Sequence, residues 1–250
     1  MTENMENAPA DPIDVVRRHS LTALVRAEIE RNIIEGALAP GAKLNESDWA
    51  ARLQVSRGPV REAFRALEQA GLVRTEKNRG VFVRVVSLAE ADEIYAVRAV
   101  LEEAACRMLA SSIDAAQLAG LRKHIDAMRV ALDAEDHDAY ARANVAFHDG
   151  IVAAAGNRKL YETYRRLVGE LSLFRRAALV VRADAMERSL AEHRAILTAL
   201  ASRDADQAAT LMHAHVNGGL RRAHEACQPV EGAGQRSGLP ISAPIDEERA

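Results

Sequence analysis

The chain has 250 residues, 48% of them apolar, 28% charged and 4% aromatic, enough for one large domain or two small ones with a real core. Its apolar runs are too short to cross a bilayer, and the polar, acidic start (Met1–Asp11) excludes a secretory signal peptide. The net charge of −3 hides an asymmetry: residues 11–86 carry 13 Lys/Arg against 10 Asp/Glu, whereas 87–226 carry 18 against 20, so an anionic partner is expected at the first block. Two cysteines, Cys106 and Cys227, exclude a disulfide framework or cysteine zinc finger and fit a reducing cytoplasm. Ala, Leu, Arg and Glu dominate, so the expected fold is mainly α.

Residues 1–13 read as a disordered tail. From Ser20 to Glu35, Leu21, Leu24, Val25, Ile29, Ile33 and Ile34 recur at helical spacing, and Gly36 ends the run. Asn45 can cap a short second helix bearing Trp49, Ala50 and Leu53. Ser56 can cap a third that carries Val60, Ala63, Phe64 and Leu67 and stops at Gly71. The period then shortens: Leu72-Val73 and Val81–Val85 flank an Asn78-Arg79-Gly80 turn, which predicts a β-hairpin. Three helices and a hairpin over residues 14–86 outline a winged helix-turn-helix.

Ser87-Leu88-Ala89-Glu90 reads as a capping box that opens a second domain, residues 87–226. Six helices are predicted there, at Leu88–Ala110, Ala115–Leu132, Asp136–Ala155, Arg158–Val181, Ala183–Ser202 and Ala205–Ala226, joined by short loops into an all-helical antiparallel bundle. Residues 227–250, rich in Pro and Gly, read as a second disordered tail.

Two constellations carry chemistry. In a helix-turn-helix, the start of the second helix of the motif meets base edges in the major groove. Here Arg57, Arg61 and Arg65 lie at i, i+4 and i+8 on one face, opposite Val60, Phe64 and Leu67. Arginine grips guanine or phosphate in bidentate fashion. Ser47 offers a hydroxyl to a phosphate, and Arg79-Gly80 stand at the hairpin tip. Three arginines on one helix face are equally what a solvated surface shows. The second constellation is histidine-rich. Asn144 and His148 share a helix face, His193 lies in the fifth helix of the bundle, and His213 and His215 in the sixth. Residues two apart on a helix diverge by about 200°, so one of the last two at most faces inward. Three imidazoles and one oxygen donor suit Zn²⁺ or Ni²⁺, and Mn²⁺ less well. Histidines satisfied within a core read the same way from spacing alone.

Gly36–Gly41, Leu44-Asn45-Glu46, Val55–Ala63, Leu67, Gly71-Leu72-Val73 and Asn78-Arg79-Gly80 together resemble the DNA-binding domain of the GntR family over residues 20–86. That resemblance implies a dimeric bacterial transcription factor on a palindromic operator of double-stranded DNA. It implies DNA contacts from Ser56, Arg57, Gly58 and Arg61 and from the wing at Arg79 and Gly80. In some relatives an arginine contacts DNA at the position of Ser47, where serine has the shorter reach. Asn144–His148, Ala154–Leu160, Glu192–Ile196 and Met212–His215 resemble the FCD effector-binding domain of FadR-type members over residues 90–224. Many such domains hold a divalent metal with one Asp and three His, and the matching positions are Asn144, His148, His193 and His215. Asparagine in place of aspartate removes one negative charge from that set. Arg98 matches an arginine that faces the ligand cavity, and Arg175 is the candidate second cation. A metal beside an arginine favours a small carboxylate or sugar acid as effector. The expected protein is a cytoplasmic homodimeric repressor released by such an effector. The alternative is a metal-dependent enzyme, because three histidines and an open position can activate water. No carboxylate is placed by motif as its general base.

Overall fold

The computed structural model describes the backbone of residues 21–178 and 183–227, and the side chains of 21–174 and 184–225. The expected tails, 1–13 and 227–250, lie outside these residues, except for Cys227, which closes the last helix.

The first helix, α1 (Leu21–Ile34), buries Val25, Ile29 and Ile33, one residue per turn. Leu21, Leu24 and Ile34, read from sequence as part of the same apolar face, are instead about half exposed (50%, 52% and 46%). They fall beside the i, i+4, i+8 stripe, which alone is narrow enough to meet the core. Next come β1 (Lys43–Leu44), α2 (Glu46–Leu53) and α3 (Arg57–Gln69), followed by β2 (Val73–Glu76) and β3 (Gly80–Val83). Asn45 caps α2 by accepting from the Ser47 amide at 2.8 Å. Ser56 stands at the N-terminus of α3 in extended backbone but makes no side-chain cap, which corrects the capping role expected for it. The sheet is antiparallel in the order β1–β3–β2, with Val73 facing Val83 and Leu44 facing Val81. The predicted hairpin is therefore two of three strands, and the two-residue β1 is too short to leave a period in the sequence.

The bundle consists of α4 (Leu88–Ser112), α5 (Ala115–Asp133), α6 (His137–Ala154), α7 (Arg158–Ala178), α8 (Ala183–Ala201) and α9 (Ala205–Cys227). α4 packs along α9, and α5 along α6. Leu109, Met128, Phe147, Ile151, Leu171 and Met212 are among its fully buried side chains. Ser87 caps α4 by accepting from the Glu90 amide at 3.1 Å. The expected capping box is only half formed, because the Glu90 carboxylate pairs with Arg84 instead.

Arg84 marks the joint between the two parts of the chain. Its guanidinium meets Glu90 of α4, Glu170 of α7 at 3.3 Å and the Gly71 carbonyl at 3.3 Å. Gly71, which follows α3, has φ +73°, and a Cβ there would stand 2.3 Å from Glu170 Oε1. Gly71→Ala therefore combines left-handed strain with displacement of a buried carboxylate, each about 1–3 kcal/mol. Thermal unfolding is expected to show a lowered Tm for Gly71→Ala. Adding Glu170→Ala, which clears the space, should restore part of the loss; strict additivity of the two changes would refute the contact.

Candidate functional site

The residues expected to face DNA lie on the two helices of the turn motif and on the wing. α3 buries Val60, Ala63, Phe64 and Leu67, so its opposite face is solvent-exposed. Ser56, Arg57, Gly58, Arg61 and Arg65 all lie on that exposed side. Arg61 reaches back to the first residue of α2: its Nε and Nη2 donate to the Glu46 carboxylate at 3.1 and 2.9 Å. The hydrogen bond from Arg61 holds Glu46 below the usual carboxylate range. Arg65 pairs with Glu62 at 2.7 Å. Ser47 is half-buried in the first turn of α2. On the wing, Arg79 is 71% exposed; it pairs with Glu76, and its guanidinium sits 5.6 Å from the Phe82 ring centre. Gly80 has φ +115° beside it.

Gly58 lies in the first turn of α3, where a Cβ would meet nothing within 4 Å. Nothing in the free protein requires glycine there. Gly58→Ala should therefore leave Tm unchanged or slightly raised, since alanine is the better helix former. If DNA backbone closes on this turn, the same change weakens operator affinity, as fluorescence anisotropy would read; unchanged affinity would remove Gly58 from the interface.

The second constellation forms inside the bundle. His148 of α6, His193 of α8 and His215 of α9 are all buried, with ligating atoms within 4.8 Å of one another. His148 Nε2 lies 3.1 Å from His215 Nε2 and 3.2 Å from His193 Nε2. A zinc or nickel ion with N ligands at 2.0–2.1 Å has ligand–ligand edges of about 3.3 Å, so these separations fit one ion. Spacing two residues apart works as expected: His215 turns inward, while His213 is 43% exposed and lies 2.9 Å from Glu103. Asn144 sits one turn before His148 on α6 and is half-buried.

Two carboxylates fix the imidazoles from behind. Glu102 of α4, fully buried, meets His148 Nδ1, and Glu192 of α8 meets His215 Nδ1 at 2.6 Å. Each contact places a proton on Nδ1 and leaves the Nε2 lone pair for the centre, as metal-ligating histidines require. Burial holds the His215 pKa down to about 4 and His193 well below its ordinary value. Both rings are therefore neutral near pH 7, the form that binds metal. His193 Nδ1 is buried with no hydrogen-bond partner, and Phe147 stands edge-on 4.9 Å from its ring.

Each carboxylate also holds an arginine. Arg98, buried on α4, donates through Nε to Glu102 at 2.8 Å and lies over the Tyr95 ring at 5.4 Å. Burial works against its charge, but Glu102, Tyr164 and Tyr95 outweigh that and keep it protonated. Its Nη1 is buried without a partner. Arg222 of α9 contacts Glu192 at 3.3 and 3.4 Å. Burial pushes Glu192 up, but bonds from His215 and Arg222 leave it below the ordinary value. The side chain of Arg175 lies outside the described residues. Sequence reasoning missed Glu192, Arg222 and Tyr95, and the contact of Glu102 with His148. Glu192 adjoins His193 in sequence, but its partner is 23 residues away.

Two families match. Residues 21–83 match the family described as bacterial regulatory proteins, gntR family, and residues 93–218 match the FCD domain. The chain is 30% identical over 220 residues to the probable D-xylose utilization operon transcriptional repressor of Paenarthrobacter nicotinovorans, covering 84% of this chain and 96% of that one. This chain belongs to the GntR family of regulators, with an FCD domain. It is also 29% identical to the HTH-type transcriptional repressor RspR of Escherichia coli K12, over 75% of this chain and 82% of the relative. Among solved structures, a GntR transcriptional regulator from Rhodococcus sp. RHA1 superposes with a TM-score of 0.71 at 29% identity, covering 83% of this chain and 99% of that one. McbR/YncC of E. coli shares the fold, with a TM-score of 0.73 at 21% identity over 83% of this chain and 98% of that one. GntR relatives are regulators of transcription rather than enzymes, which sets aside the metalloenzyme alternative. No helix among the described residues is long and apolar enough to cross a membrane.

Proposed function

We propose that this GntR regulator is a cytoplasmic homodimer that represses transcription from a palindromic operator and releases it when a small carboxylate or sugar acid binds inside the FCD bundle. The observation that carries this reading is the buried Arg98, which shares Glu102 with the first of three converging histidines while its Nη1 has no partner. A buried guanidinium N–H without a partner is costly, and an anionic ligand removes that cost. The name of one relative agrees with an effector of this class: the gluconate operon transcriptional repressor of Bacillus licheniformis, 28% identical over 78% of this chain and 82% of that one.

Residues 14–86 read the DNA and 87–226 form the effector domain. Arg57, Arg61 and Gly58 meet base edges and backbone, Ser47 and Ser56 offer hydroxyls to phosphates, and Arg79 and Gly80 reach the adjacent groove. His148, His193 and His215 would hold a divalent metal, zinc or nickel before manganese, with Asn144 as the oxygen donor. Bound there, the metal supplies positive charge to an effector carboxylate. Arg98 orients that carboxylate, and Arg175 remains the second cation proposed from sequence.

The test begins with an operator selected from random duplex DNA by the metal-loaded protein. Gluconate, xylonate and short carboxylates are then titrated into the complex. Release by one of them, abolished in Arg98→Gln, is expected. A complex that withstands all of them, with no ligand shifting the Tm of the free protein, would overturn the effector reading and leave a regulator of another kind.

A further inference from the structure

The sixth helix of the bundle contains a costly pair, Gly218-Gly219, in its interior. Each glycine there costs about 1 kcal/mol relative to alanine, so a local reason is required. Arg222 supplies it. A Cβ on Gly218 would lie 3.1 Å from Arg222 Nη1. A Cβ on Gly219 would lie 3.3 Å from Tyr95 Cε1, 3.9 Å from the Tyr95 hydroxyl and 3.8 Å from Arg222 Nη2. The two glycines thus form a bare strip on which the Arg222 guanidinium lies, next to the aromatic ring that Arg98 covers from its own helix.

Arg98 and Arg222 are therefore arranged alike. Each contacts a carboxylate that also orients one histidine: Arg98–Glu102–His148 on one side, Arg222–Glu192–His215 on the other. Their differences matter. Arg98 is 3% exposed and tightly bound to Glu102, whereas Arg222 is 17% exposed and holds Glu192 only at 3.3–3.4 Å. Contacts of that length leave most of the five guanidinium donors open to a better acceptor.

We propose that Arg222 is the second anion-binding residue of the pocket, and that the effector is a dianion such as a short dicarboxylate. One carboxylate is taken by Arg98 in the interior and the other by Arg222 at the more exposed side. This rests on the effector reading above and narrows its ligand class. Arg175, whose side chain lies outside the described residues, keeps the part given it above as a further cation.

The test uses the full-length, metal-loaded protein and isothermal titration calorimetry with two matched series: succinate, glutarate and adipate against butyrate, valerate and hexanoate. For the wild type, the best dicarboxylate is expected to bind at least tenfold more tightly than its monocarboxylate partner, about what one charged hydrogen-bonded contact contributes. Arg222→Gln should erase that advantage, and Arg222→Lys should keep part of it. Gly218→Leu, which fills the strip without removing charge, should reduce dicarboxylate binding in the same direction. A dicarboxylate advantage that persists in Arg222→Gln, or is absent from the wild type, overturns the proposal but not the effector reading. Failure of both series to bind the wild type counts against carboxylate effectors altogether. Loss of metal from Arg222→Gln, measured by elemental analysis, also counts against the proposal, since it would make Arg222 a support for Glu192 and His215 only.

Discussion

Arg57→Ala and Arg61→Ala are each expected to weaken operator binding by about 1–3 kcal/mol, or roughly five- to 150-fold. The two changes should not be equivalent. Arg57 is exposed at the start of α3, and no ion pair holds it among the described residues. Its loss removes a contact and little else. Arg61 is held by Glu46 at 2.9 Å, so its removal also leaves a carboxylate facing DNA without its counter-charge. Arg61→Ala should therefore be the more damaging, and adding Glu46→Gln should recover part of the loss. Anisotropy on one selected operator at two salt concentrations would separate the roles. A base-reading arginine relaxes sequence preference when removed, whereas a phosphate contact lowers the salt slope by about one. Unchanged affinity in both single variants would move the DNA-reading face away from α3.

His193→Ala should nearly abolish metal uptake. This side chain is fully buried, stands 3.2 Å from His148, and offers one of the three imidazoles that converge among the described residues. Elemental analysis should find close to one equivalent of transition metal per chain in the wild type and almost none in the variant. Glu192→Gln should fall between them. It leaves all three ligands but removes the acceptor at 2.6 Å from His215 Nδ1, and loss of such an outer partner costs about 10–100-fold in affinity. Equal metal content in all three proteins would show that the cluster is a neutral polar core. The metal-free protein carries a pH signature as well. His215 has a folded pKa of about 4 and His193 one well below its ordinary value, while both titrate near 6.5 when unfolded. The unfolded chain therefore binds more protons between those limits, and stability must fall as pH drops from about 6.5 towards 4. Urea midpoints at pH 7 and pH 5 should differ in that direction, and bound metal should steepen the difference.

Much of this is legible in the sequence. Five of the six bundle helices fall within two residues of their predicted ends, because Ala-rich helices separated by Asp, Asn and Gly caps announce both period and boundary; the predicted end of the other, Val181, lies outside the described residues. That His213 and His215 do not both turn inward follows from helix pitch, and the resemblance to the FCD domain singles out His215. Less was legible where partners come from different helices. Glu192 and Arg222 resemble ordinary surface charges in sequence, and only the packing of α8 against α9 brings Glu192 to both His215 and Arg222. Ser56 shows the opposite failure: an N-cap residue type in the right place whose side chain makes no cap. Leu21, Leu24 and Ile34 show that apolar periodicity marks a stripe but not its width.

One helix touches both halves of the molecule. Tyr164 of α7 is buried near enough to Arg98 to act on its charge, and Glu170 lies against Gly71 and Arg84. Six residues separate them, about 9 Å of helical rod. An α-helix of this length barely stretches or bends, so it behaves as a short lever. The packing around Tyr164 and the packing around Glu170 therefore share one rigid segment, and the second lies against Gly71, which follows α3. The buried arginine and the winged part of the chain thus share one stiff rod, fastened where one glutamate packs beneath one glycine.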